Sequence, residues 1–154
     1  MDIRFAQAKD IPGILALLRQ VGQVHHNIRP DIFRDGAQKY DETALAELLN
    51  NPTRPIFVAE EDRVLGYCFC QIKTYYRDPV INDHTTCYID DLCVDEKTRG
   101  NGVATALFRF VTDIAKAAGV DFITLNVWQG NSALNFYEKM GMKPRKIVMD
   151  LPLE

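Results

Sequence analysis

The sequence predicts a mixed α/β fold: a central, mostly antiparallel sheet with one parallel pair and helices on both faces. Three observations carry this. Strand-like and helix-like periods succeed one another as β-α-α-β-β-β-α-β-α-β along the 154 residues. The middle strands are joined by turns too short for a crossover, so they pair antiparallel. The helical stretch 103–118 is long enough to connect two parallel strands on either side of it.

Each element has its own signal. Residues 3–6 read as a short first strand. Asp10 can cap a helix running to about Val21, with Pro12 in its first turn and Ile11, Ile14, Leu15, Leu18 and Val21 at helical spacing. Gly22 breaks that pattern. Residues 24–40 have no clean period and contain Pro30 and Gly36, so they read as a loop or irregular helix. Asp41 or Thr43 caps a second helix through Leu49, which Asn50-Asn51-Pro52 ends. Strands follow at 56–59, 64–75 and 86–94, separated by the turn Glu61-Asp62-Arg63 and the polar loop 77–84. The helix from Val103 ends at Gly119, a residue suited to a left-handed cap. A strand at 121–127, a helix capped by Asn131 or Ser132 and ended by Gly141, and a last strand at 146–151 complete the chain.

Length and composition point to one domain, 1–154, with a sizeable core: 47% of residues are hydrophobic and 25% charged. The net charge of −3 and the absence of a basic block argue against nucleic acid as a partner. No apolar run reaches membrane-spanning length, and Met1-Asp2-Ile3-Arg4 lacks the form of a signal peptide. The four cysteines Cys68, Cys70, Cys87 and Cys93 include no C-x-x-C, and read as reduced core residues of a cytoplasmic protein. No His/Cys spacing supports a metal site.

Arg99-Gly100-Asn101-Gly102-Val103-Ala104 is the most informative stretch. It joins an apolar strand to a helix start, where free N–H groups and the helix dipole form an anion cradle. Gly100 and Gly102 allow the backbone close approach to a phosphate, and Arg99 adds charge-assisted hydrogen bonds. A P-loop would end in Gly-Lys-Ser/Thr, which is absent. A dinucleotide fingerprint would place Gly or Ala where Thr105 stands, which argues against a nucleotide-dependent oxidoreductase.

The pattern Arg-x-x-Gly-x-Ala resembles the acyl-CoA pyrophosphate loop of the GNAT superfamily of N-acetyltransferases. A second stretch, from Leu125-Asn126-Val127 through Asn131-Ser132-Ala133 to Phe136-Tyr137 and Gly141-Met142, resembles that family's motif N-V-x-x-x-N-x-x-A-x-x-F-Y-x-x-x-G-F. The Ala stands one place early, and Met142 replaces Phe. Ile89-Asp90-Asp91-Leu92-x-Val94 is similar to the family's I-E-D-L-x-V strand. The resemblance implies that acetyl-CoA lies in a splay between strands 86–94 and 121–127. Backbone groups of Leu92, Cys93 and Val94 would pair with the pantetheine arm. The amides of Arg99 to Ala104, with Thr105 beside them, would hold the pyrophosphate. Asn126 and Asn131 would flank the arm, and Asn131 equally suits a helix cap.

The same resemblance implies direct acetyl transfer to a primary amine. Asp90 aligns with the family's general base. Asp91 is its rival, since neighbours on a strand face opposite ways unless the strand bulges. Tyr137 aligns with the general acid. An N–H near Cys93 or Val94 would serve the developing oxyanion. His25, His26 and Tyr75 are candidate acceptor contacts, in or bordering the segments 22–40 and 75–86. His84 reads as an ordinary loop residue, and Trp128 as packing. The acidic pair suits a small cationic amine. A peptide N-terminus or protein lysine is the alternative acceptor, and a non-catalytic acyl-CoA-binding regulatory module is the alternative class. Homodimers are common in the family, but the sequence specifies no interface.

Overall fold

In a computed structural model describing all of residues 1–154, the chain forms one five-stranded sheet with four α-helices. The strands are β1 (Asp2–Phe5), β2 (Ile56–Glu60), β3 (Val64–Tyr75), β4 (His84–Val94) and β5 (Phe122–Leu125), in spatial order β1-β2-β3-β4-β5. The first three pairings are antiparallel and β4–β5 is parallel. The helices are α1 (Ile11–Ile28), α2 (Glu42–Leu48), α3 (Val103–Ala117) and α4 (Ala133–Lys139). None is long and apolar enough to cross a membrane.

Strand alternation divides the core into two layers. Phe57, Ala59, Cys68, Cys70, Cys87 and Ile89 turn to one face and pack with Val103, Leu107, Phe108 and Val111 of α3 and Tyr137 of α4. Ile56, Val58, Tyr67, Phe69 and Cys93 turn to the other and meet Ile11, Ile14, Leu17 and Leu18 of α1 and Leu45 of α2. All four cysteines are buried free thiols.

Four expectations are corrected. α1 does not stop at Val21 but continues seven residues to Ile28. Gly22 lies inside it, where a Cβ would stand 2.3 Å from the Ala37 carbonyl oxygen. The glycine there serves a close approach of the following loop, not a break. Asp10 precedes α1, but its carboxylate does not cap that helix. It accepts from the Gln7 N–H at 2.7 Å and from two nitrogens of Arg4 at 2.8 and 3.0 Å. β4 begins at His84, which stacks on Tyr75 of β3 at 4.7 Å and so belongs to the hairpin end, not to a loop. The strand expected at 146–151 is absent. Residues 143–154 form no regular element, and their large apolar side chains face outward, because no neighbouring strand pairs with them.

Candidate active site

The site begins where β4 changes register. Phe69 pairs with Asp91, but Cys70 pairs with Ile89, so Asp90 is the extra residue of a β-bulge. The bulge cancels the usual alternation. Asp91 accepts a hydrogen bond from the Tyr67 hydroxyl at 2.6 Å, on the face covered by α1 and α2. Asp90 turns to the same side, where Lys39 Nζ stands 2.7 Å from its Oδ2 and the Tyr40 hydroxyl 3.4 Å. Burial pushes the Asp91 carboxyl up to about 6, outweighing the hydrogen bond from Tyr67 and the Lys39 charge.

The parallel pairing of β4 and β5 runs from Thr86–Phe122 to Ile89–Leu125 and ends there. Beyond it the strands part at the bulge. Backbone groups of Leu92, Cys93 and Val94 remain paired with β3 on one side only. A free strand edge of this kind accepts an extended ligand as an added strand.

The glycine loop lies at the end of that edge. Gly100 and Gly102 have φ of +86° and +79°, and no atom comes within 4 Å of the position of either Cβ. Gly102 is the N-cap of α3 and provides no side-chain cap, so the first N–H groups, at Val103, Ala104 and Thr105, have no partner within the helix. Arg99 and Asn101 stand in the loop, and Arg99 Nε donates to the Val94 carbonyl at 3.3 Å. Asp95 pins the loop entry: it is buried, pairs with Arg63, and accepts from Gln20 at 3.3 Å. These features fit an acyl-CoA: a hydrogen-bonding strand edge for the amide-bearing arm and an unobstructed helix start for the phosphates.

Tyr137 is buried in α4 against Phe108 and Phe136. Burial first, then the nearby Cys68, Asp91 and Cys93, raises its pKa. The phenol therefore keeps its proton at any physiological pH. Asn131 accepts from the Ala133 N–H at 2.9 Å, which satisfies its role at the helix start. Asn126 is exposed just after β5.

One side of the site is closed by the end of α1 and the loop after it. His25 stacks on Phe33 at 5.0 Å, and Phe33 meets Trp128 edge-on at 5.2 Å. Burial, with the Lys39 charge, lowers the His25 pKa and favours the neutral ring. His26 Nδ1 stands 2.8 Å from the Phe33 carbonyl oxygen, which engages it in bracing the loop. Tyr75 is not brought to this place. It pairs with His84 at the far end of the hairpin, six residues or roughly 20 Å along β4 from Asp90.

Tyr67, Lys39 and Tyr40 complete the carboxylate environment, and sequence reasoning did not find them. Tyr67 alternates with Phe69 on β3, but its position opposite Asp91 depends on the pairing register. Lys39 and Tyr40 lie in a segment without a period.

Comparison with known proteins agrees with this geometry. The acetyltransferase (GNAT) family model matches residues 23–142. A mutant of the BH1408 protein of Bacillus halodurans is 30% identical and covers all of both chains, with a TM-score of 0.95. The chain belongs to the GNAT acetyltransferase family. A 57-residue stretch is 37% identical to the chloroplastic GCN5-related N-acetyltransferase 6 of Arabidopsis thaliana, covering 36% of this chain and 20% of that relative's length. Glucosamine-6-phosphate N-acetyltransferase of the same plant shares the fold, with a TM-score of 0.74 at 20% identity over 99% of this chain and 98% of that one.

Proposed function

We propose that the protein is an acetyl-CoA-dependent N-acetyltransferase acting on a primary amine, with a small cationic amine as the favoured acceptor class. The β-bulge at Asp90 carries the proposal. It accompanies the parting of β4 from β5 and turns two carboxylates to one face.

Bound acetyl-CoA supplies the thioester whose acyl group becomes the amide and whose sulfur leaves as a thiol. The chain handles the rest. The amides of Leu92 to Val94 and of the Arg99–Thr105 segment bind and orient. Asp90, accessible and already holding an ammonium from Lys39, receives the acceptor's ammonium. Asp91, with its carboxyl near 6, has the basicity to hold the proton the amine must lose. Tyr137 keeps its proton and can donate it toward the departing sulfur. His25, Phe33 and Trp128 wall the acceptor side.

The test is thiol release from acetyl-CoA with a panel of polyamines, amino sugars and peptides, comparing the wild type with Asp90→Asn and Tyr137→Phe. Turnover on cationic small amines that falls at least tenfold in both variants is expected. Acetylation of peptides alone would overturn the small-amine assignment. CoA binding without turnover on any amine would favour a regulatory module.

A further inference from the structure

We infer that the acceptor amine also carries an anionic group, a carboxylate or a phosphate, which Arg54 and Lys73 hold while its ammonium meets Asp90. The inference rests on the proposed function and names the acceptor's second charge.

Pairing register places the first cation. The Cys70 N–H donates to the Pro55 carbonyl at 2.9 Å, and the Ile72 N–H to the Thr53 carbonyl at 2.8 Å, so the β2–β3 ladder continues past the start of β2. Arg54 therefore stands opposite Gln71, and its Nη2 donates to Gln71 Oε1 at 3.4 Å. Gln71 pairs in turn with Tyr88 of β4. Ile56 and Phe69 pack under α1 and α2, so Arg54 and Gln71, two residues along their strands, point to that same face. They line one cleft with Tyr40, Phe69 and Asp90. Lys73, two residues beyond Gln71, holds its Nζ 5.0 Å from the centre of the Tyr88 ring.

Charge at this place does not balance. Lys39 has a carboxylate, Asp90, but Arg54 and Lys73 belong to none of the chain's ion pairs. The hydrogen-bond donors are unmatched as well. The Arg54 guanidinium has only its long bond to Gln71, while the Lys73 ammonium and the Tyr88 hydroxyl donate to no group of the chain. A half-buried guanidinium without a counter-ion, in one cleft with a candidate catalytic carboxylate, suits an anion brought from outside the chain.

Position separates this anion from those of acetyl-CoA. The glycine loop proposed for the pyrophosphate follows Val94, beyond the C-terminal end of β4. Tyr88 lies on the other side of the bulge, two residues before Asp90. That separation is roughly 7 Å along the strand, a gap spanned by an anionic group several bonds from the amine.

Matched pairs of amines test this: phosphoethanolamine against ethanolamine, and δ-aminovalerate against the corresponding amino alcohol. With acetyl-CoA, the anionic member of at least one pair is expected to show a kcat/KM about tenfold or more above its neutral partner, the worth of a charge-assisted hydrogen bond. Which pair shows it tells phosphate from carboxylate. In Arg54→Gln the ratio is expected to fall to about one, in Arg54→Lys part of it remains with the charge, and Lys73→Gln lowers it less than Arg54→Gln. Calorimetric titration of the protein saturated with CoA, using the same amines, reads binding without turnover. Binding of an anionic amine that Arg54→Gln abolishes, with no acetyl transfer to any amine, would uphold the anion site and overturn the N-acetyltransferase reading alone. Transfer that uses the neutral amines equally or better, a preference that survives Arg54→Gln, or neither turnover nor binding of either anionic amine would overturn the anion site.

Discussion

Tyr67 donates its hydroxyl proton to Asp91 Oδ2 at 2.6 Å, and this contact defines the chemistry of the β4 bulge. It ties the buried carboxylate to β3 and leaves Asp90 turned toward Lys39. Asp91 loses its proton only near pH 6, so the uncharged acid dominates below that value. kcat/KM should rise with pH through about 6, as Asp91 becomes able to take the amine's proton. Tyr67→Phe removes a bond that favours the carboxylate and should move this limb upward. Asp91→Asn should abolish it. A profile unchanged in both variants would remove Asp91 from the mechanism.

The same carboxylate is a cost to the fold. Its native pKa is raised, so its contribution to stability is fully present below the ordinary carboxylate range and is lost as pH climbs through about 6. Asp91→Asn should therefore stabilise the protein above pH 6 by up to roughly 3 kcal/mol while impairing turnover. Denaturant unfolding at pH 5 and pH 8 measures the difference.

Lys39 competes for the position proposed for the acceptor's charge. Burial pulls its pKa down, but the bond to Asp90 overrides this and keeps it an ammonium. The pair is partly exposed, with Lys39 at 47%, so its worth is at most about 1 kcal/mol. Lys39→Met should lower KM for a cationic amine by up to about fivefold and leave KM for acetyl-CoA unchanged. Initial-rate kinetics with each substrate varied separately decide it.

Gly22→Ala tests the packing of the loop after α1 on that helix. In an exposed helix interior this change adds about 1 kcal/mol of stability. Here the new methyl would meet the Ala37 carbonyl oxygen at 2.3 Å, so the variant should be destabilised. A higher melting temperature would show that the loop yields easily.

Arg4 joins Asp10 and Glu60 under the first strand. Burial opposes ionisation of Asp10, but Arg4 and the Gln7 N–H outweigh it and hold its carboxyl below the usual range. That stability is present above the ordinary carboxylate pKa and is lost as pH falls through the lowered one. Arg4→Met should cost about 3 kcal/mol at neutral pH, because it strands a buried carboxylate. The deficit should shrink in acid, which unfolding curves across pH 3–7 would reveal.

Local chemistry made much of this architecture legible in the sequence. The long helix with its glycine cap, the 64–75 strand and the glycine loop all carry signals within a few residues of one another. The bulge does not, because it exists only in the register between β3 and β4; the sequence offers two adjacent aspartates and no sign that both face one way. Gly22 misleads for a related reason. A glycine in a helical pattern reads as a break, and only the loop that returns over it explains its presence. The segment 146–151 has strand-like residues, yet pairing requires a neighbour, and within one chain it has none.

In the proposed function, the β4 edge and the start of α3 hold an acyl-CoA beside the carboxylate pair. Calorimetric titration of the purified protein with acetyl-CoA tests it most directly. Saturable binding at one site per chain is expected, retained with CoA and lost in Gly102→Val, where a β-branched residue cannot adopt the φ of +79° without strain. No heat of binding with either acetyl-CoA or CoA, or equal binding of NADH, would contradict the account.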